Sequence, residues 1–191
     1  MRKLIFAINT TLDGCVDHTS QSVDDEALAY FTQLTRDSGV QVFGRKTWQL
    51  MVPYWPEAAT DPSSTKTERD FAVAFNSIEK LVFSRSLKST EYHETRIVAT
   101  DLRGEILNLK KKDGKNILVG GVDIPSQLIQ LGLIDEYRFV VGPNVAGAGR
   151  RLFDSVNLPE TLELDLVESK VFRSGRVALR YSKRSSTGEI K

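Results

Sequence analysis

The chain has 191 residues, 40% of them apolar and 27% charged, the length and composition of a single globular domain. Its 26 basic and 25 acidic residues leave a formal net charge of +1, which provides no general attraction for nucleic acid or for an anionic membrane surface. No apolar run approaches the ~20 residues needed to cross a bilayer. Cys15 is the lone cysteine, so no disulfide can form within the chain and a cytoplasmic location is expected.

The apolar stretch behind the basic start, residues 3–9 (KLIFAIN), is short and lacks a small-x-small cleavage site. It reads as a first strand rather than a secretory leader. A helix is predicted over 24–35, where Ala27, Leu28, Phe31 and Leu34 share one face. Strand 40–43 (VQVF) follows, and after Gly44-Arg45-Lys46-Thr47 an amphipathic run resumes with Trp48 in the core. Residues 53–67 hold three prolines and read as a loop. A second helix is predicted over 68–78, then strands at 80–84, 96–99 and 116–119. A third helix is predicted over 124–132, with Asp123 as N-cap, Pro125 near its first turn and Gly132 as its stop. Strand 136–141 and a glycine-rich loop over 142–151 come next. Strands 162–169 and 176–181 then form an antiparallel hairpin through Arg173, Ser174 and Gly175.

Strands alternating with helices give an α/β layer fold. Several strands are continuous Val/Ile/Leu/Phe runs, the mark of a sheet covered on both faces. The terminal hairpin makes the sheet mixed. Nothing marks an interdomain linker, so one domain is expected over 1–182 with a polar tail at 183–191.

Ligands of α/β sheets settle at the carboxyl ends of strands. Three such ends carry matching chemistry: Gly44-Arg45-Lys46-Thr47, Ser84-Arg85-Ser86 and Gly120-Gly121. A glycine lets the backbone approach a phosphate, a helix start offers free N–H groups, and an arginine or hydroxyl completes an anion site. Together they point to a dinucleotide bearing an extra phosphate on its adenosine ribose. Singly, each has a plainer reading, a solvated surface arginine or a simple glycine turn. Gly147-Ala148-Gly149 is no Rossmann fingerprint, because Leu152 occupies the third glycine position.

The acids placed to supply a proton are Asp13, Asp24 and Asp25, with Glu26 beside them. The alternatives are a capping box between Ser22 and Asp25 and a turn shaped by Asp13. Trp55 either walls a substrate pocket or packs beneath a loop. His18 and His93 have no partner pattern and read as surface residues, and no metal-ligand spacing exists.

The ordered motifs LIFAINTTLDG, VFGRKTW, KLVFSRSLK and ILVGG followed by GLIDEYRF resemble the dihydrofolate reductase-like superfamily. Within it the chain is similar to standalone members of the riboflavin-biosynthesis reductase (RibD C-terminal) domain family. Thr11-Leu12-Asp13-Gly14, the run 132–136 and Gly147 to Phe153 carry that second likeness. The resemblance spans residues 1–182 and implies a three-layer α/β/α fold with a mixed, mostly parallel sheet. It also implies NADPH as cofactor, hydride transfer to a small heterocyclic substrate, and a homodimer. By the same likeness Gly44, Gly120 and Gly121 approach the pyrophosphate, followed by Val122, Asp123 and Ile124. Thr47 offers a hydroxyl and an N–H. Arg45 and Arg85 pair with the 2′-phosphate, with Lys46 and Ser84 beside them. Ala7 lies near the nicotinamide, and Asn9 and Trp55 face the substrate.

The zinc deaminase half of the bifunctional riboflavin enzyme needs H-x-E and P-C-x-x-C, and the chain has neither. Val119 stands where those reductases often carry a glutamate, and GRKTW is of the folate type. The resemblance therefore implies a pterin- or pyrimidine-like substrate. 5-Amino-6-(5-phosphoribosylamino)uracil reductase is its leading activity and dihydrofolate reduction the rival. A dimeric nucleotide-binding protein without turnover is the reading from outside the enzyme class.

Overall fold

The computed structural model describes residues 1–16, 24–92, 94–99 and 101–184; the expectations for His18, Ser22 and His93 fall outside them. The elements run β1 (Leu4–Thr10), α1 (Asp25–Arg36), β2 (Ser38–Gly44), α2 (Arg45–Met51), α3 (Tyr54–Ala58), α4 (Lys66–Asn76), β3 (Glu79–Phe83) and β4 (Thr95–Val98). They continue with α5 (Leu102–Lys111), β5 (Asn116–Val119), α6 (Asp123–Gln130), β6 (Glu136–Val141), β7 (Leu164–Val171) and β8 (Val177–Lys183). The eight strands form one sheet in the order β4-β3-β2-β5-β1-β6-β8-β7. Strands β1 to β6 are parallel, and β8 and β7 add an antiparallel hairpin at one edge.

Alternation along the strands assigns the two faces. Leu4 and Phe6 of β1, Val40 and Val42 of β2, and Ile117 and Val119 of β5 pack with Ile106 and Leu109 of α5 and Ile124 and Leu128 of α6. The intervening residues face the other way. Ile5, Ala7 and Leu118 meet Leu34 of α1, and Phe43 and Val82 meet Leu28 of α1 and Phe71 and Phe75 of α4. Helices therefore cover both faces, as the unbroken apolar strands require. The three-layer, mostly parallel sheet with a C-terminal hairpin is the expected fold.

Four local readings change. The proline-rich stretch 53–67 contains α3, with Pro53 at its N-cap and Pro56 inside the first turn, positions where a missing N–H costs little. Helix α5 was not predicted, since Gly104 and the lysines at its end mask its period. Ile106 and Leu109 are nonetheless buried, and Asp101 caps the helix by accepting from Gly104 N at 2.9 Å. The N-cap of α6 is Val122, with no side-chain cap bond, and Asp123 is already helical. Strand β8 runs one residue beyond the expected domain end, to Lys183.

One sheet residue opposes the fold's stability. Lys80 of β3 is only 3% exposed, its Nζ sits 4.8 Å from the centroid of the Phe75 ring, and it has no ion-pair partner among the described residues. Burial depresses its pKa from 10.5 to about 8, with Glu94 opposing the shift. Below that folded value both states carry the proton and the folded one bears the full cost of a buried charge. Between the two values the unfolded chain binds more protons, so stability rises with pH. Lys80→Met is expected to stabilise the protein by about 1–3 kcal/mol at pH 7, with the gain shrinking between pH 8 and 10.5. Chemical denaturation at pH 7 and pH 10.5 measures this, and an equal gain at both would exclude the charge as its cause.

Candidate active site

The face of the sheet turned toward α1 is not fully filled. A cleft of about 530 Å³ lies between that face and α1, bounded at its mouth by α2 and α3. Its floor is Ala7 and Asn9 of β1, Gln41 and Phe43 of β2, and Leu118 and Gly120 at β5. The roof is Leu28, Phe31 and Thr35 of α1, whose spacing of three and four residues sets them on one face. Thr47, Met51, Tyr54 and Trp55 close one side with Phe71 behind them. Trp55 stacks edgewise on Phe71 with ring centroids 4.4 Å apart.

Register sets the depth. Gln41 is level with Leu118, which is level with Ile5. At ~3.3 Å per strand residue, Gln41 lies about 7 Å below the level of Ala7 and Gly120. Four buried side-chain atoms on these walls have no hydrogen-bond partner: Asn9 Oδ1, Thr35 Oγ1, Gln41 Oε1 and Trp55 Nε1. None of the lining residues is Asp, Glu, Lys, Arg or His.

The glycine pair reaches the cleft mouth as expected. Gly120 N donates to Val42 O at 3.2 Å, which holds the β5–α6 turn against the end of β2. Gly121 has φ +82°, and a Cβ there would fall 2.3 Å from Thr47 Oγ1. A Cβ on Gly44 would lie 3.3 Å from Ile124 Cγ1. The two turns touch backbone to side chain, so the fold admits only glycine at position 121 without rearrangement. Ala7, Asn9, Thr47, Trp55, Gly120, Gly121 and Val122 all line the cleft.

Gly44, Arg45, Lys46, Ser84, Arg85, Asp123 and Ile124 do not line it. Gly44 pairs with Phe83 in the sheet, so Arg45 and Lys46 emerge beside Ser84 and Arg85. Arg45, Lys46 and Arg85 are exposed. Arg45 Nη1 donates to Gln49 Oε1 at 3.0 Å, while the Lys46 and Arg85 side chains have no carboxylate partner among the described residues. The Ser84 hydroxyl accepts from Leu87 N at 2.9 Å, which shapes the turn that presents Arg85. Asp123 accepts from Arg150 Nη2 at 2.6 Å, and that bond holds its carboxyl below the ordinary range. Ile124 is buried in the core.

The three acids expected to give a proton stand elsewhere. Asp13 Oδ1 accepts from the Thr11 hydroxyl at 2.5 Å and Ala146 N at 3.1 Å; its Oδ2 accepts from Gly147 N at 3.0 Å and pairs with Arg151 Nη1 at 2.6 Å. These donors hold its carboxyl well below the usual range, so it is ionised near neutral pH and stitches the 11–14 turn to the 146–151 loop. Asp24 caps α1 through Ala27 N at 2.8 Å and faces Arg176 Nε at 3.1 Å. Burial raises its pKa, but bonds from Ser174, Ala27 and Arg176 outweigh that and lower it. Asp25 is an exposed first-turn residue. Glu26 Oε2 accepts from Arg173 N at 2.6 Å. None of these acids lines the cleft.

Sequence reading missed Thr35 and Gln41. The available signal was a lone amide inside an otherwise apolar strand, Val40-Gln41-Val42-Phe43. A second cavity, about 620 Å³, lies on the opposite side against α6 and β6, among Tyr137, Phe153, Leu158 and Leu162. It is away from the parallel-strand ends and gathers few polar groups. Among the described residues no group of His, Cys, Asp or Glu could hold a metal ion.

A parallel core extended by an antiparallel hairpin, with a cleft under the first helix and a glycine turn at its mouth, defines an α/β domain of the dihydrofolate reductase-like type. The match to the RibD C-terminal domain runs over residues 2–178, and the chain belongs to that family. It is 31% identical over 185 residues to the uncharacterized protein YyaP of Bacillus subtilis strain 168, covering 94% of each chain. A crystal structure of a putative riboflavin biosynthesis protein from Shewanella sp. PV-4 superposes with a TM-score of 0.74 at 20% identity, over 96% of this chain and 99% of that one. The diaminohydroxyphosphoribosylaminopyrimidine deaminase/5-amino-6-(5-phosphoribosylamino)uracil reductase of Thermotoga maritima gives 0.67 at 15% identity, over 96% of this chain and 57% of that one.

The Gly121–Thr47 contact is open to test. Gly121→Ala combines a positive φ with the 2.3 Å approach and is expected to cost about 1–3 kcal/mol of stability. Adding Thr47→Ala should recover the steric part only. Urea unfolding of the single and double variants measures both, and a fully additive pair would show that the turns are not in contact.

Proposed function

We propose that this chain is an NADPH-dependent reductase of a pyrimidine- or pterin-like heterocycle, acting in the cytoplasm as a homodimer. The observation that carries the reading is the join of two features at one set of strand ends. One is an apolar, aromatic-walled cleft whose mouth is Ala7, Gly120, Gly121 and Thr47. The other is the group of exposed cations, Arg45, Lys46 and Arg85, at the neighbouring ends of β2 and β3.

NADPH, when bound, supplies the hydride from its nicotinamide ring. The residues fit such a group. Gly120 and Gly121 bring bare backbone to the mouth, where a side chain would obstruct a pyrophosphate or ribose. Arg85, and Arg45 in exchange for its bond to Gln49, would take the 2′-phosphate, with Lys46 adding charge. Phe31, Phe43, Trp55 and Phe71 hold a flat acceptor ring and exclude water around it. Among the described residues no carboxylate lies on the walls, and the proton that completes the reduction is assigned to water at the mouth. The same absence weighs against a dihydrofolate reductase that protonates through an aspartate in the pocket.

Strand β7 supports the dimer. It is a sheet edge with no outer partner strand among the described residues, and Leu166, Val167 and Val171 are half or more exposed. Apolar edge strands invite pairing with another chain. Val167→Lys is expected to shift the protein toward monomer in sedimentation velocity; unchanged mass would remove β7 from the interface.

The cofactor assignment is tested through Arg85. Arg85→Ala should weaken NADPH binding by about 1.5–3 kcal/mol, the range for a charge-assisted hydrogen bond, and leave NADH binding little changed. Fluorescence titration with each nucleotide measures it, and equal losses for both would defeat the role given to Arg85.

A further inference from the structure

The polar atoms at the inner end of the cleft have no task in the fold. Among the described residues six buried side-chain nitrogen or oxygen atoms lack a hydrogen-bond partner, and four of them belong to residues that line this cleft. Thr35 and Gln41 are 1% and 6% exposed, so bulk water does not reach them in the ordinary way. A buried polar atom left unsatisfied costs about 1–3 kcal/mol. Valine and leucine would fill the same two places without that cost.

From these atoms we propose that Thr35 and Gln41, at the inner end of the cleft with Asn9 and Trp55 nearer its mouth, recognise the cyclic-imide edge of an uncharged, non-phosphorylated heterocycle. The proposal narrows the reductase reading above and rests on it for the identity of the bound ring as substrate.

The donor and acceptor inventory sets the ligand. A glutamine or asparagine amide presents an oxygen acceptor beside an N–H donor, which matches a ring edge that alternates C=O and N–H. An indole N–H only donates, so Trp55 Nε1 suits a ring carbonyl. A threonine hydroxyl can do either. The aromatic walls, Phe31, Phe43 and Phe71, take the faces of a flat ring.

Charge decides what is refused. No lining residue is ionised near neutral pH, so a phosphate entering the recess would be stripped of water without a cation to replace it. Residues 17–23, which lie outside the described part, contain no lysine or arginine but do include Asp17 and His18. Among the described lining residues a cationic or amidine-like ring edge would equally lack a carboxylate. The site is therefore chemically unlike one built for a phosphoribosyl pyrimidine or for the 2-amino-4-oxo edge of a folate.

The test is isothermal titration of wild type, Gln41→Leu, Gln41→Glu and Thr35→Val with four probes. These are lumazine at pH 6.5, 5-amino-6-(ribosylamino)uracil, its 5′-phosphate, and a 2-amino-4-oxopteridine. NADPH is titrated separately. Wild type should bind the two uncharged diones and gain nothing from the 5′-phosphate. Gln41→Leu and Thr35→Val should each weaken dione binding roughly tenfold or more, with NADPH affinity kept and the melting temperature of the ligand-free protein raised or unchanged. Gln41→Glu should exchange dione binding for the 2-amino-4-oxopteridine.

Dione binding that ignores Gln41→Leu and Thr35→Val would overturn the proposal. So would a phosphate that tightens binding by more than about tenfold, or a wild type that binds NADPH and no dione. Dione binding that depends on Gln41 in a protein that fails to bind NADPH would sustain the recess and defeat the reductase reading.

Discussion

Everything at the site depends on β5 being hydrogen-bonded between β2 and β1 in one parallel register. Val42, Val119 and Phe6 are aligned across the three strands. Because all three run the same way, their carboxyl ends emerge together, and Phe43, Gly120 and Ala7 become neighbours although they are far apart in sequence. The same register brings Gly121 against Thr47. A slip of one residue in any strand would turn Ala7, Gln41 or Gly120 to the opposite face, away from α1. The cleft is thus a product of backbone pairing before it is a product of any side chain.

A second constraint is the disposal of charge. The N-terminus of α1 carries three consecutive acids, and each has work outside the cleft or lies exposed: Asp24 caps the helix and meets Arg176, Glu26 holds the β7–β8 turn through Arg173 N, and Asp25 faces solvent. Asp13 is consumed by Thr11, two backbone N–H groups and Arg151. These bonds fasten the 11–14 turn to the 146–151 loop and the start of α1 to the β7–β8 turn. Among the described residues the interior of the cleft is neutral, and its walls offer shape and uncharged hydrogen-bonding groups. Cations remain outside, at the ends of β2 and β3, where an anionic part of a ligand stays in water. An apolar interior beside a cationic rim divides a ligand into a flat uncharged end and a phosphorylated end.

Hydrophobic period carried most of the fold in the linear sequence. The strands and the helices over 24–35, 68–78 and 124–132 were legible because burial on both faces of a parallel sheet writes long apolar runs. Helix α5 was not, since Ile106 and Leu109 are few apolar positions among lysines and a glycine. Helix α3 was hidden by prolines that it tolerates in its first turn. Local chemistry singled out the glycine pair, Thr47 and Trp55, and the structure places all four on the cleft walls. That Asp13, Asp24 and Asp25 stand away from the cleft was not legible, because sequence distance cannot show what a carboxylate bonds to.

The sequence by itself determined the order of the strands and the mixed sheet with its C-terminal hairpin, because these follow from local propensity and short-range pattern. Only the tertiary structure decided which polar side chains face that ligand. Gln41 comes from one strand, Thr35 from the helix that covers it, Asn9 from another strand and Trp55 from a short helix after β2. They line one cleft because strand register and the packing of α1 on the sheet bring to it residues whose separation along the chain carries no sign of that. The same packing turned Asp13 and Asp24 into structural ion pairs with Arg151 and Arg176, partners more than a hundred residues downstream.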